Sequence, residues 1–147
     1  MSNPSDVDTM QNHFKITIEG APQAKGRPRF ARRGKFVSTY TPKKTMDAET
    51  TIKLVAKSII RKPLEGAVSV FIAFHMPIPS SYSKKRSEGL KNTPHMKRPD
   101  IDNLIKLVMD SLNGVAWADD NQVVKIGAVK IYSDNPRTEI EIEKYVG

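Results

Sequence analysis

An apolar stripe with the spacing of an α-helix crosses the second half of the chain. It recurs at i, i+3, i+4, i+7 and i+11, at Ile101, Leu104, Ile105, Val108 and Leu112. This is the pattern of a helix that buries one face. Asn113 and Gly114 follow at once and are typical of a helix C-terminus. The opposite face presents Asp102, Lys106 and Asp110 one turn apart. The chain must therefore fold around a helix with one buried and one charged face.

Alternating apolar residues predict four strands around this helix. They cover residues 14–18, 67–76, 123–132 and 138–146, and we expect the last two to pair as a hairpin through Asp134-Asn135-Pro136. A second helix is predicted to begin at Thr41-Pro42, with Thr41 as N-cap, and to end near Arg61. These elements predict an α+β fold, a mixed β-sheet with two helices packed on one face.

The 147 residues are enough for a single domain with one core. We expect a disordered tail over residues 1–12 and a domain over residues 13–147 that carries a long basic loop at 77–99. The chain has no cysteine, which excludes disulfides and thiolate metal sites. The polar N-terminus is unlike a signal peptide and no apolar run is long enough to cross a membrane, so we expect a soluble cytoplasmic protein with no membrane partner.

Charge is distributed unevenly along the chain. Residues 1–99 contain 19 Lys and Arg against 7 Asp and Glu, whereas residues 100–147 contain 5 against 9. A basic majority with a local acidic cluster suits an enzyme that binds a polyanion and holds cations at one point. The alternative is that the excess of basic residues forms a solvated surface.

Two basic segments, residues 23–40 and the loop at 77–99, form the candidate DNA-binding surface. Arg33-Gly34 is predicted to turn a hairpin with arms at 29–31 and 35–37, in which basic and aromatic residues alternate. Guanidinium groups pair well with phosphates, although the charge of such a hairpin could equally protect an exposed edge strand. The candidate DNA-binding residues are Lys25, Arg27, Arg29, Arg32, Arg33, Lys84, Lys85, Arg86, Lys97 and Arg98.

Four aspartates around the central helix are candidate metal ligands. Asp100 and Asp102 precede or begin the helix, and Asp119-Asp120 follow it. Phosphodiester hydrolysis needs charge neutralised on the phosphate and an activated water, and Mg²⁺ bound by carboxylates supplies both. The acids meet only if the segment after the helix runs back alongside it. Lys106 could stabilise the phosphate or protonate the leaving oxygen.

Ordinary structural roles explain the same residues. Asp100 and Asp102 could cap a helix and favour its dipole. Asp102, Lys106 and Asp110 could form simple i,i+4 ion pairs. Asp119-Asp120-Asn121 could be only a turn.

The run K-R-P-D-I-D-N-L-I-K…D-S-L-N-G…D-D-N-Q-V-V resembles the core of RusA-type Holliday junction resolvases, in their phage and prophage branch. The segments K-G-R-P-R-F (25–30) and Y-T-P (40–42) extend the resemblance upstream. It implies a homodimer that binds four-way DNA junctions and nicks two opposing strands symmetrically with Mg²⁺, Mn²⁺ being a substitute. The essential aspartates of the family correspond to Asp100, Asp102 and Asp120, its important lysine to Lys106, and a less critical acid to Asp119.

Two other functions remain compatible with the sequence. One is a non-catalytic DNA-binding protein in which the acidic cluster is structural. The other is a nuclease that acts on a different branched DNA. The first predicts that Asp102→Asn leaves all function intact, and the second predicts cleavage of flaps or forks where junctions are untouched.

Overall fold

The computed structural model describes residues 12–26, 29–34, 36–40 and 42–147. The strands are β1 (His13–Glu19), β2 (Arg29–Arg33), β3 (Phe36–Tyr40), β4 (Val68–Pro77), β5 (Val123–Ser133) and β6 (Arg137–Lys144). The helices are α1 (Lys43–Ile59), α2 (Lys84–Leu90) and α3 (Ile101–Leu112), and a short 3-10 helix covers Asp120–Gln122. Only the backbone of β2 and β3 is described. The predictions for residues 1–11 and Arg27 lie outside the described residues. The N-cap of α1 is Pro42, one residue after the predicted N-cap Thr41.

Four strands form one mixed sheet in the order β1-β6-β4-β5. β4 pairs with β6 antiparallel and with β5 parallel. The predicted hairpin of the last two strands is therefore wrong, because β4 lies between them. The three-residue link from β5 to β6 passes the end of β4 at Pro77, beside Ser133. Burying β4 between two neighbours covers the strand with the longest alternating apolar face in the chain.

The core lies between this sheet and two helices. β4 contributes every second residue, and its side chains pack with Ile52 and Ala56 of α1 and with Leu104, Leu107 and Val108 of α3 in one buried cluster. The α+β class is thus confirmed. The apolar stripe of α3 is confirmed in part, since Leu104, Val108 and Leu112 are buried and Ile105 is half-buried. Ile101 is exposed, and Leu107, which lies outside the predicted stripe, is buried instead. The count of two helices is wrong, because α2 is a third.

Helix α2 lies inside the segment predicted to be a long loop. Ser83 is its N-cap, and the hydroxyl accepts a hydrogen bond from the Arg86 backbone N–H at 3.2 Å. None of its residues is buried, so the sequence has no apolar periodicity that would predict this helix. The helix is short and exposed, and only its N-cap is readable from sequence.

The basic hairpin is confirmed. β2 and β3 pair antiparallel from Arg29 opposite Tyr40 to Arg33 opposite Phe36. Gly34 turns the chain with φ +60°, a left-handed conformation that glycine adopts without steric cost. In the described part of the chain, no helix has the length and apolar character needed to cross a membrane.

Candidate active site

Asp100 and Asp102 lie at the N-terminus of α3 with exposed side chains. Asp100 occupies the N-cap position, yet its side chain makes no capping hydrogen bond. The Oδ1 atom of Asp102 accepts from the adjacent backbone N–H of Asn103, at 3.0 Å. Capping therefore does not account for Asp100, and most carboxylate oxygens of the pair have no partner among the described residues.

Lys106 follows Asp102 by one turn and is also exposed. Among the described side chains, Lys106 makes no ion pair within 4.0 Å with Asp102 or Asp110. Asp110 instead pairs with Lys25, Nζ to Oδ2 3.2 Å. In the described structure these three residues therefore do not form the i,i+4 ion pairs that their spacing allows. Asp102 and Lys106 share a helix face, and neither charge is paired with a side chain that the structure describes.

Asp119 and Asp120 have different roles in the segment after α3. Asp119 is the N-cap of the 3-10 helix, where its side chain accepts from the Asn121 backbone N–H at 3.2 Å. The Oδ1 atom of Asp120 accepts from the indole N–H of Trp117 at 2.7 Å. Trp117 is fully buried, so it is a rigid donor. The structure thus makes Asp119 a capping residue and orients Asp120.

Gln122 holds this segment in place, a role that the sequence analysis missed. Its side-chain oxygen accepts from the backbone N–H groups of Ala118, at 2.8 Å, and Asp119, at 3.1 Å. Its side-chain nitrogen donates to the carbonyl oxygens of Leu64, at 2.9 Å, and Gly66, at 3.0 Å. One amide therefore ties the Asp120 segment to the chain before β4. The only local signal was the spacing of Gln122 three residues after Asp119.

The three candidate ligands are not all together. The segment after α3 does not run back along the helix, since residues 114–116 form a tight turn and Trp117 returns beside Asn113. Asp120 is thus tied to the C-terminal end of α3, whereas Asp100 and Asp102 lie at its start. Twelve residues at 1.5 Å each span about 18 Å. Within the described ranges, no group of three or more His, Asp or Glu side chains could hold a metal ion.

The chemistry of the donors nevertheless suits a hard divalent cation. Asp100, Asp102 and Asp120 offer carboxylate oxygens, which Mg²⁺ and Mn²⁺ prefer to imidazole or sulfur. Asp100 and Asp102 line an open groove together with Lys97, Arg98 and Lys130. This groove leaves the pair accessible to a cation and to a phosphate.

A basic cluster adjoins the pair of aspartates. Lys84, Lys85, Arg86, Lys97 and Arg98 are all exposed. The guanidinium of Arg86 lies 3.6 Å from the centre of the Tyr82 ring, and Lys97 donates to the Tyr82 hydroxyl at 3.1 Å. The Lys97 hydrogen bond lowers the pKa of Tyr82, and the same bond raises the pKa of Lys97. Tyr82 therefore connects α2 to the residues that lead into Asp100.

Lys25 and Gly26 hold the start of α1 against α3. Lys25 Nζ lies 2.5 Å from Glu49 as well as 3.2 Å from Asp110. Burial is the largest influence and lowers the pKa of Lys25, but hydrogen bonds to Glu49 and Asp110 outweigh it and raise the pKa above 10.5. The Gly26 N–H donates to the Thr45 hydroxyl at 3.0 Å. The ammonium of Lys25, a candidate DNA-binding residue, is thus already paired with two carboxylates. Of the other upstream candidates, Arg27 and the side chains of Arg29, Arg32 and Arg33 lie outside what the structure describes.

Comparison with known proteins identifies the family. Residues 19–143 match the profile of the family described as Endodeoxyribonuclease RusA. The chain is also 34% identical over 138 residues to the uncharacterized protein YqaN of Bacillus subtilis (strain 168), an alignment that covers 89% of this chain and 96% of that protein. The chain belongs to the RusA endodeoxyribonuclease family. Members of this family are nucleases that act on Holliday junctions and generally depend on a divalent metal. The resemblance found in the sequence is thereby confirmed.

Proposed function

We propose that this protein resolves four-way DNA junctions by nicking two opposing strands symmetrically in the presence of Mg²⁺. The observation that carries the proposal is the pair of exposed carboxylates at the start of α3, with a lysine one turn away, none of which forms an ion pair with the side chains that the structure describes. The family match supports the substrate class. A structural role for the acids would leave them engaged in caps or ion pairs, and within the described residues Asp100 and Asp102 form neither a side-chain cap of α3 nor an ion pair.

Asp100 and Asp102, with Asp120, would hold the cation. When bound, Mg²⁺ neutralises phosphate charge and makes a water more acidic. Lys106 would place its ammonium against a non-bridging phosphate oxygen or give a proton to the leaving 3′ oxygen. Lys84, Lys85, Arg86, Lys97 and Arg98 would bind the flanking phosphates and orient the strand across the groove.

We further propose that the active protein is a homodimer. Two opposed nicks need two sites related by a two-fold axis. Because Asp120 belongs to the far end of α3, a single chain separates it from Asp100 and Asp102. A second copy is the simplest source of the third carboxylate at each site.

A substrate panel tests the activity. Labelled four-way junction, flap, fork and linear duplex are incubated with the protein in Mg²⁺ or in EDTA, and the products are separated on a denaturing gel. We expect paired symmetric nicks in the junction, only with Mg²⁺. Cleavage of flaps or forks with intact junctions would identify a different branched substrate. Tight binding without cleavage under any divalent metal would identify a DNA-binding protein.

Subunit mixing tests the shared site. Asp102→Asn and Asp120→Asn are each expected to be inactive as homodimers. If the third carboxylate comes from the partner, a mixed dimer has one site with both substitutions and one with neither, so mixing restores nicking of a single strand. If each site is complete within one chain, every site in the mixed dimer is defective and mixing restores nothing.

A further inference from the structure

The residues that lead into Asp100 are attached to the outer edge of β5. We call residues 92–99 the strap. The Asn92 N–H donates to Tyr132 O at 2.9 Å, the Tyr132 N–H donates to Thr93 O at 3.0 Å, and the His95 N–H donates to Lys130 O at 3.0 Å. These bonds hold the first half of the strap as a short addition to the sheet. They end at residue 95, five residues before Asp100.

The side chain of Lys130 holds the second half. Its Nζ donates to the carbonyl oxygen of Lys97 at 2.6 Å and to that of Pro99 at 2.7 Å. Lys130 therefore contacts the strap at three places, since its own carbonyl already receives the His95 N–H. Pro99 directly precedes Asp100, so the second of these bonds acts one residue from the first candidate ligand.

No carboxylate within the described part of the chain pairs with Lys130. Its ammonium instead donates to two carbonyl oxygens, and Lys130 lines the same groove as Asp100 and Asp102. A charged donor makes stronger hydrogen bonds than a neutral one. The sheet thus fixes the direction of the chain at Pro99, where the three backbone bonds no longer act.

We propose that Lys130 is a positioning residue for the acidic pair. It sets the path of residues 97–99 and thereby the separation and orientation of the Asp100 and Asp102 carboxylates. This inference rests on the proposed function for its catalytic consequence. The backbone bonds at residues 92–95 do not involve the Lys130 side chain, so its loss should leave the fold and the basic residues of α2 in place while the aspartates lose their fixed geometry.

Three variants test this role. Lys130→Met keeps the length of the side chain and removes both bonds. Lys130→Arg can still donate to two carbonyls. Lys125→Met is the matched control, because Lys125 lies on the same strand and is exposed. Each is compared with the wild type for single-turnover junction cleavage in Mg²⁺, for junction binding in EDTA, and for Mn²⁺ binding by calorimetry without DNA. Amide hydrogen exchange over residues 96–104 is measured in the same preparations.

We expect Lys130→Met to lower the cleavage rate and the Mn²⁺ affinity by about tenfold or more, the usual effect of removing a group that orients metal ligands. Junction binding should change by less than about twofold, since no phosphate-binding group is removed. Exchange should accelerate at residues 97–103, Lys130→Arg should recover most of the loss, and Lys125→Met should behave as wild type.

Wild-type Mn²⁺ affinity and exchange in Lys130→Met would overturn the proposal, as would equal effects of Lys130→Met and Lys125→Met. If Lys130→Met does not fold, a Lys130→Arg variant as defective as an Asp102→Asn variant would also overturn it. A wild-type protein that cleaves no junction contradicts the proposed function alone. Mn²⁺ binding and hydrogen exchange still decide the role of Lys130 in that case.

Discussion

Replacing Gln122 by methionine should destabilise the protein by about 2–3 kcal/mol. The substitution keeps the length of the side chain and removes four hydrogen bonds, two accepted from Ala118 and Asp119 and two donated to Leu64 and Gly66. A hydrogen bond makes a net contribution of about 0.5–1.5 kcal/mol to the free energy of unfolding. Only the bond to Leu64 is partly buried, so we assign about 1 kcal/mol to it and about 0.5 kcal/mol to each of the others, which water can replace.

Urea unfolding measures this loss. Trp117 is the only tryptophan in the chain and is fully buried, so its fluorescence reports the transition. At a slope of about 1–3 kcal/mol/M, the midpoint should fall by about 0.7–3 M. Protein concentration is kept constant, because unfolding of a homodimer depends on it.

The adjacent amide provides the control. The Asn121 side chain is exposed and, in the described structure, makes no hydrogen bond of its own, so Asn121→Met should change the free energy of unfolding by less than about 0.5 kcal/mol. If Gln122→Met also stays within about 0.5 kcal/mol of wild type, the four bonds do not hold the Asp120 segment, and our account of the D-D-N-Q motif is refuted.

Three further predictions concern the surroundings of the site. Gly26→Ala should cost about 1–3 kcal/mol in urea unfolding, because a Cβ would lie 2.8 Å from the hydroxyl of buried Thr45; an unchanged midpoint would contradict this contact. Trp117→Phe should slow junction cleavage by about tenfold or more through loss of the hydrogen bond to Asp120, worth about 1.5–3 kcal/mol, and wild-type cleavage would show that Asp120 needs no such donor. Burial, then the charges of Lys130 and Lys97, lower the pKa of His95 below 6.5. As pH falls, the unfolded chain therefore binds this proton before the folded chain does, so His95 adds stability above about pH 6.5 that is lost below it. When unfolding is compared from pH 7.5 to 5, the free energy of unfolding should decline less in His95→Gln than in wild type.

Local sequence patterns predicted most helices and strands but not which strands pair with each other. The stripe of α3 and the alternation of β4 are read directly from sequence, because helices and strands impose their own periods on buried residues. The pairing of β5 with β4 is decided by packing between residues more than 50 positions apart. The short link at 134–136 is equally compatible with a hairpin, so the sequence alone favoured the wrong neighbour for β6.

The candidate site divides in the same way. Asp100, Asp102 and Lys106 were predicted from spacing on one helix, and the structure places them on one helix. The roles of Gln122 and Lys130 depend on bonds to residues 56–58 and 31–33 positions away, respectively, which no local pattern encodes. The expected return of the Asp120 segment along α3 depended on the path of residues 113–117, and the chain turns there within a few residues.

Asp102→Asn, compared with Asp110→Asn, tests the central claim most directly. Both substitutions remove one charge from α3, but Asp110 pairs with Lys25, whereas Asp102 forms no ion pair with a described side chain. Cleavage and binding of a synthetic four-way junction are measured for each, with Mg²⁺ and with EDTA. We predict that Asp102→Asn binds the junction at least as tightly as wild type and does not cleave it, while Asp110→Asn cleaves it. Cleavage by Asp102→Asn at the wild-type rate would contradict the account and would indicate that the aspartates have structural roles.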